Sequence, residues 1–203
     1  MIRRILRRLL RRKPTKSYTN VAQADMSIGE PSVSDVPEPE IDLEIDRTGL
    51  EAWHAEGTPF EILDIREPYE YRQGVLRPSV LIPMNDIPEQ LSRFDKSVRW
   101  VVVCAAGMRS FGVAHYMREN GFDEAWSMVG GLGTWADQGY GHAPNRSNFG
   151  LGDWVSWSEN DQRVRGRIQW IEIDGDEVVI TVLPEHGNGL EAIQKIETEL
   201  KRN

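Results

Sequence analysis

The residues best suited to chemistry surround the single cysteine of this sequence. An apolar run over residues 100–103 ends at Cys104, small residues follow, and a helical pattern begins at Arg109. In an open α/β sheet, this order places the thiol at the carboxyl end of a strand, facing the first turn of a helix. Backbone N–H groups there lack helical partners, and the helix dipole adds partial positive charge. Such a position favours an anion, either a thiolate or an oxyanion substrate.

The elements that would position this cysteine lie in residues 42–142, where short apolar strands alternate with helical patterns. The first helix is predicted to open at Thr48 with a capping box, and the second has proline in its first turn. The predicted helices cover residues 48–56, 68–74, 86–94 and 109–120. Alternating strands and helices predict an α/β domain with a mainly parallel sheet.

The pattern changes after a small, polar linker, and residues 150–203 are predicted to form a second, mainly-β module. Apolar runs indicate strands, and an Asp-Gly pair at 174–175 indicates a hairpin turn. Apolar residues at 190, 193, 196 and 200 indicate a closing helix. The module loosely resembles an SH3-like or Tudor-like barrel. Its tryptophans (Trp154, Trp157 and Trp170) could form a binding cage, but core filling and docking onto the α/β domain are the favoured interpretation.

Composition and charge limit the possible functions. The chain is 39% hydrophobic and 28% charged, as expected for a globular protein. One cysteine excludes an internal disulfide framework and a cysteine-rich metal site, and it favours a reducing compartment such as the cytoplasm. No histidine has metal-ligand spacing, so neither a metal nor a cofactor is expected. Residues 1–16 hold eight basic residues and no acid; subtracting these from the net charge of −8 leaves the rest near −16, which argues against nucleic-acid binding.

The basic amino-terminal segment has its own pattern. Residues 1–13 place apolar side chains on one helical face and arginines on the other, which predicts a basic amphipathic helix. The apolar positions are Ile2, Ile5, Leu6, Leu9 and Leu10. Such a helix could attach residues 1–16 to an anionic membrane surface or a protein partner; a solvated tail and contact with RNA are the alternatives. Residues 14–40, rich in proline and serine, are predicted to be a disordered linker.

Three segments together resemble a rhodanese domain. They are residues 64–71 (Asp-Ile-Arg-Glu-Pro-Tyr-Glu-Tyr), 104–110 (Cys-Ala-Ala-Gly-Met-Arg-Ser), and 129–132 (Val-Gly-Gly-Leu) with Trp135. The resemblance covers residues 42–142 and implies an open parallel sheet with helices on both faces. It also implies a sulfurtransferase, in which Cys104 takes a sulfane sulfur from a donor such as thiosulfate as a persulfide. A thiophilic acceptor would then remove that sulfur.

The loop after the cysteine has the residue types that this chemistry requires. Ala105, Ala106 and Gly107 are small enough for their N–H groups to converge in an anion-binding nest around a thiolate or persulfide. After Met108, Arg109 is expected to steady the loop or bind an anionic donor, because guanidinium pairs well with oxyanions. Ser110 is expected to cap the following helix.

Two features of the sequence bear on the donor and the acceptor. Many family members have a histidine after the short second helix, where this chain has Val75. The Cys104 loop also contains no lysine and no second arginine, which leaves the natural donor open. Because the chain has one cysteine, a persulfide cannot be discharged as an internal disulfide. An external thiol, cyanide or a partner protein must therefore accept the sulfur.

Charged residues after the second strand are candidates for support of the site. Asp64 and Arg66 end that strand at the same edge as Cys104, and an ion pair that holds the loop is favoured over substrate contact. Glu67 and Glu70 are expected to form a solvated helix face.

Two other functions remain open. A cysteine phosphatase has a loop that is one residue longer than this one, so the spacing between Cys104 and Arg109 favours sulfur transfer. The second alternative is a non-catalytic binding or regulatory module built on the same fold.

Overall fold

A computed structural model of the chain describes residues 42–133 and 146–203. The amphipathic helix predicted at 1–13, the linker at 14–40 and Trp135 lie outside these ranges. Within them, no helix has the length and apolar character required to cross a bilayer.

The first sheet has five parallel strands. They are β1 (Glu44–Ile45), β2 (Glu61–Asp64), β3 (Val80–Leu81), β4 (Trp100–Val103) and β5 (Ala125–Met128). Their order is β1-β5-β4-β2-β3, so β4 lies at the centre and β3 lies at one edge. The parallel α/β sheet predicted from the alternating pattern is therefore confirmed.

Helices cover both faces of this sheet. Successive side chains of β4 point in opposite directions, so β4 contacts a helix on each face. Trp100 and Val102 share one apolar cluster with Ala114, which belongs to the helix after Cys104. Val101 and Val103 share another with Leu50 of the first helix. All four β4 residues are buried, which explains their uninterrupted apolar sequence.

The helices begin at slightly different residues from those expected. The helices are α1 (Arg47–Ala55), α2 (Ile87–Gln90) and α3 (Met108–Glu119), with 3-10 turns at Pro68–Gln73, Met84–Asp86, Leu91–Arg93 and Glu197–Glu199. Asp46, rather than Thr48, caps α1, and its carboxylate accepts a hydrogen bond from Gly49 N at 2.8 Å. Gly107 occupies the cap position of α3, so Ser110 lies inside the first turn and does not cap the helix as expected.

The second sheet is antiparallel. Its strands are β6 (Trp154–Glu159), β7 (Gln162–Asp174), β8 (Glu177–Pro184), β9 (Ile193–Ile196) and β10 (Lys201–Arg202), in the order β10-β6-β7-β8-β9. This sheet is consistent with the predicted small β module; the SH3-like barrel stays a prediction.

The closing helix predicted in this module is wrong. Ile193–Ile196 forms strand β9 and pairs with β8, with Ile193 opposite Val182 and Ile196 opposite Val179. The two isoleucines are β-branched, and β8 would otherwise present unpaired backbone groups. Leu200 lies outside β9 and is buried after the 3-10 turn at Glu197–Glu199. The spacing of the apolar residues by three and four positions therefore did not reflect one helical face.

The second sheet closes the open edge of the first through Gln169. A register shift between Ile168 and Trp170 in β7 releases Gln169 from regular pairing with β8. Its amide then pairs with edge strand β3: Leu81 N donates to Oε1 at 2.6 Å, and Nε2 donates to Leu81 O at 3.1 Å. The side chain thus replaces a neighbouring strand at an edge that would otherwise stay unpaired.

Apolar contacts join the two sheets as well. Tyr71, Val75 and Leu81 share one buried cluster with Trp157, Ile168 and other residues of the second sheet. Val75, at the position where many rhodanese domains have histidine, is 2% exposed in this joint core. The three tryptophans do not form one cage, since Trp157 is buried here while Trp154 and Trp170 stack against separate arginines.

Polar contacts complete the junction between the sheets. The Arg93 guanidinium donates to the carbonyl oxygens of Pro184 at 2.8 Å and Gly189 at 2.9 Å. Asp86 does not cap a helix with its side chain but pairs with Arg167 of β7.

Candidate active site

Cys104 directly follows β4 and lies opposite the first turn of α3, as the sequence pattern predicted. Its Sγ accepts hydrogen bonds from Gly107 N at 3.2 Å and from Ser110 N at 3.4 Å. The residue is 1% exposed. Burial by itself raises the pKa of the thiol, but hydrogen bonding with the Ser110 hydroxyl and with the N–H groups of Ser110, Ala106 and Gly107 outweighs it. The pKa of Cys104 is therefore lowered, which favours the nucleophilic thiolate.

Two buried serines form a hydrogen-bonded chain that reaches the thiol. Ser110 Oγ lies 3.5 Å from Cys104 Sγ, 2.9 Å from Gly107 O, to which it donates, and 2.9 Å from Ser127 Oγ. Both serines are completely buried. Sequence reasoning missed Ser127, although a serine in the otherwise apolar strand β5 was a usable signal, because a buried hydroxyl requires a partner.

The turn after β5 braces the loop that follows Cys104. Leu132 N donates to Cys104 O at 2.8 Å, and Gly133 N donates to Ala105 O at 3.1 Å. Gly131 has φ +59°, and a Cβ added there would lie 2.3 Å from Cys104 O. Only glycine permits this approach, so the Gly-Gly pair fixes the shape of the loop.

Arg109 is held by Glu70, a residue that the sequence placed on a solvated helix face. Nη1 and Nη2 of Arg109 donate to the two Glu70 carboxylate oxygens at 2.7 and 2.6 Å. This pairing lowers the pKa of Glu70 and raises that of Arg109. Glu70 also accepts a hydrogen bond from Glu67 N at 2.9 Å. The expectation for Glu70 was thus wrong: its carboxylate ties the cysteine loop to the 3-10 turn after β2.

Asp64 and Arg66 form a buried ion pair below that turn. Arg66 Nη2 donates to Asp64 Oδ2 at 2.7 Å, and Arg66 Nε lies 3.0 Å from Oδ1. Burial raises the pKa of Asp64, and the neighbouring guanidinium limits the rise. Arg66 also donates to Gly74 O at 2.8 Å and Glu70 O at 3.3 Å. The pair therefore fixes the backbone that carries Glu70, which in turn holds Arg109.

The site thus provides a nucleophile and an anion cradle. The described residues around Cys104 offer converging N–H groups, a lowered thiol pKa and a buried pair of serines that reaches the sulfur. Within residues 42–133 and 146–203, no three histidine, cysteine or acidic side chains are grouped so that they could hold a metal ion. The arrangement suits nucleophilic attack by sulfur on a substrate that carries or develops negative charge.

Comparison with known proteins identifies the family of this chain. Residues 47–138 match the family described as "Rhodanese-like domain". The putative sulfurtransferase YtwF of Bacillus subtilis (strain 168) is 38% identical over 74 residues, which span 36% of this chain and 71% of that protein. A sulfurtransferase of Allochromatium vinosum is 31% identical over 96 residues, spanning 47% of this chain and 90% of that protein.

Solved structures are similar to about half of the chain. The rhodanese-like domain protein from Staphylococcus aureus is 35% identical, with a TM-score of 0.45, and the match covers 48% of this chain and 95% of that one. The family match ends at residue 138, before β6 begins. The chain belongs to the rhodanese-like family, whose relatives here include named sulfurtransferases.

Proposed function

We propose that this protein is a sulfurtransferase that carries sulfane sulfur as a persulfide on Cys104. The observation that carries this proposal is the cradle of N–H donors around Sγ, with Gly107 N at 3.2 Å and Ser110 N at 3.4 Å. A thiolate and a persulfide are both anions at this position, so the same donors stabilise the resting and the loaded site.

The first half-reaction is a displacement at sulfur. The Cys104 thiolate attacks the outer sulfur of thiosulfate or of another persulfide donor, and a new S–S bond forms. The S–S bond of the donor breaks, and the leaving group (sulfite when the donor is thiosulfate) departs with the electron pair. The terminal sulfur on Cys104 keeps a negative charge. The transfer needs no oxidant, because the donor already carries its outer sulfur as sulfane sulfur.

The second half-reaction requires an acceptor from outside the chain. The chain has no second cysteine. An external thiolate or cyanide attacks the terminal sulfur, and the S–S bond to Cys104 breaks with return of the electron pair to Sγ. The thiolate is thereby restored for the next cycle.

Activity and mass measurements test this proposal. Purified protein incubated with thiosulfate and cyanide is expected to form thiocyanate, and Cys104→Ser is expected to abolish it. Mass spectrometry after donor treatment should show one added sulfur atom on the peptide that contains Cys104. The thermal midpoint of the serine variant serves as the folding control. A folded wild-type protein whose thiol stays unmodified by several donors would contradict the proposal.

A second candidate function is a non-catalytic binding or regulatory module. The specific observation in its favour is the burial of Cys104, which is only 1% exposed. This role predicts no persulfide and no thiocyanate, so the same experiment separates the two functions.

We further propose a reducing location such as the cytoplasm, with peripheral attachment through residues 1–16. The single thiol and the basic amphipathic pattern support these proposals. Co-sedimentation of the full chain with anionic vesicles, compared with a chain that lacks residues 1–16, tests the attachment. Equal binding by the two chains would count against it.

A further inference from the structure

Exposed hydrophobic side chains are concentrated around the Cys104 loop. Of the large hydrophobic residues that the structure describes, five are exposed. Four of these lie in the loop, or next in sequence to the loop or to a residue that contacts it. We call these four the apolar rim: Tyr69 (67% exposed), Met108 (84%), Phe111 (43%) and Val129 (41%). Exposed apolar side chains are ordinary when they are scattered over a surface. Several of them grouped around one loop indicate a contact surface.

Backbone contacts connect three of these residues with the Cys104 loop. Met108 follows Gly107, and Phe111 N donates to Gly107 O at 3.0 Å. Val129 precedes Gly130, whose nitrogen lies 3.1 Å from the position of a Cβ on Gly107.

The last member of the rim is attached to the same loop by an ion pair. Tyr69 precedes Glu70, whose carboxylate holds Arg109. The Tyr69 side chain also lies near the Arg109 guanidinium. The rim therefore continues from the loop onto the 3-10 turn after β2.

The Cys104 loop carries little charge for a site that would select a dianion. Arg109 is the single charged residue among Ala105–Ser110, and both of its terminal nitrogens are engaged by Glu70. A dianion such as thiosulfate would meet neutral N–H donors and an already compensated guanidinium. An apolar group attached to the sulfur would instead bury surface against the rim.

We infer that the preferred sulfur carriers of this site bear an apolar group on the atom bonded to the transferred sulfur, and that the apolar rim selects them over thiosulfate. This inference rests on the proposed sulfurtransferase function and names the substrate class of that site. With a thiosulfonate donor, the Cys104 thiolate attacks the outer sulfur and forms the persulfide. The S–S bond of the donor breaks, a sulfinate leaves with the electron pair, and charge is conserved.

Two thiosulfonates that differ only in their apolar group provide the test. Second-order rates of Cys104 persulfidation are measured with benzenethiosulfonate, methanethiosulfonate and thiosulfate, each normalised to the reaction of that donor with free cysteine. The benzene-to-methane ratio is expected to be about tenfold, as for a modest apolar area removed from water. Phe111→Gln and Val129→Gln should each lower this ratio by about threefold or more.

Matched variants separate the rim from general effects. Ile173→Gln changes the remaining exposed large hydrophobic residue, which lies in β7, and it should leave all three rates unchanged. Glu70→Gln removes the carboxylate that compensates Arg109, and it should improve thiosulfate relative to methanethiosulfonate.

The outcomes are distinguishable. A benzene-to-methane ratio near one in the wild type overturns the inference, and so does a ratio that Phe111→Gln and Val129→Gln leave unchanged. In both cases, persulfide formation on Cys104 still supports the proposed function. Failure of every donor to add sulfur to Cys104 overturns both. A high ratio that the rim variants lower and Ile173→Gln does not supports the inference.

Discussion

The Gln169 side chain, which completes the edge of the first sheet, provides a quantitative test of how the two sheets are joined. In Gln169→Ala, the N–H and C=O groups of Leu81 lose hydrogen bonds of 2.6 and 3.1 Å. Leu81 is completely buried and Gln169 is 8% exposed, so water does not readily replace the amide. A buried backbone group left without a partner costs about 1–3 kcal/mol. The two groups together predict a loss of about 2–6 kcal/mol in the free energy of unfolding.

Equilibrium urea denaturation of the full chain measures this loss. Gln194→Ala is the matched control, because Gln194 also donates from its amide, at 3.3 Å to Glu172, but at an exposed position. The control is expected to change stability by less than about 0.5 kcal/mol. Gln169→Glu should also destabilise, since a carboxylate can accept from Leu81 N but cannot donate to Leu81 O. Equal, small losses for Gln169→Ala and the control would refute the reasoning.

Three further predictions concern the site. Ser110→Ala removes a hydrogen bond that lowers the pKa of Cys104, so the rise of alkylation rate with pH should move to higher pH, measured with iodoacetamide; an unchanged profile would assign the lowered pKa to the N–H donors alone. Gly131→Ala should abolish activity and lower the free energy of unfolding in urea by more than about 2 kcal/mol, because its Cβ would overlap Cys104 O. The control is Gly112→Ala in α3, where a Cβ meets nothing within 4 Å. It should be neutral or stabilising by up to about 1 kcal/mol. Asp64→Asn leaves a buried guanidinium without its counter-charge, and it should cost about 3–5 kcal/mol by the same assay; a loss below about 1 kcal/mol would contradict that account.

Much of the central fold could be predicted from local patterns. The apolar run at residues 100–103 requires burial on both sides, and its position before a small-residue turn and a helix is specific to a parallel α/β sheet. The placement of Cys104 followed from the same pattern. These features depend on residues close together in sequence, where periodicity is informative.

The partners of the site depend on contacts between distant residues. Glu70 and Arg109 are 39 positions apart, and no local pattern indicates that one neutralises the other. A serine in the apolar strand β5 indicates a buried hydroxyl that needs a partner, but only the contact between β5 and α3 shows that this partner is Ser110. The β9 error has a related cause: the spacing at 193 and 196 fitted a helix, but pairing with β8 decided the conformation.

Burial of Val75 in a core shared by both sheets has a consequence for how related sequences can be divided and recombined. Excision of residues 42–133 alone would leave this valine, Tyr71 and Leu81 facing solvent, so that fragment is expected to aggregate. Introducing the histidine found in many family members would place an imidazole among apolar side chains. We therefore expect an apolar residue at this position in rhodanese domains that are covered by a fused β module, and we expect that swapping such domains requires exchanging both parts together.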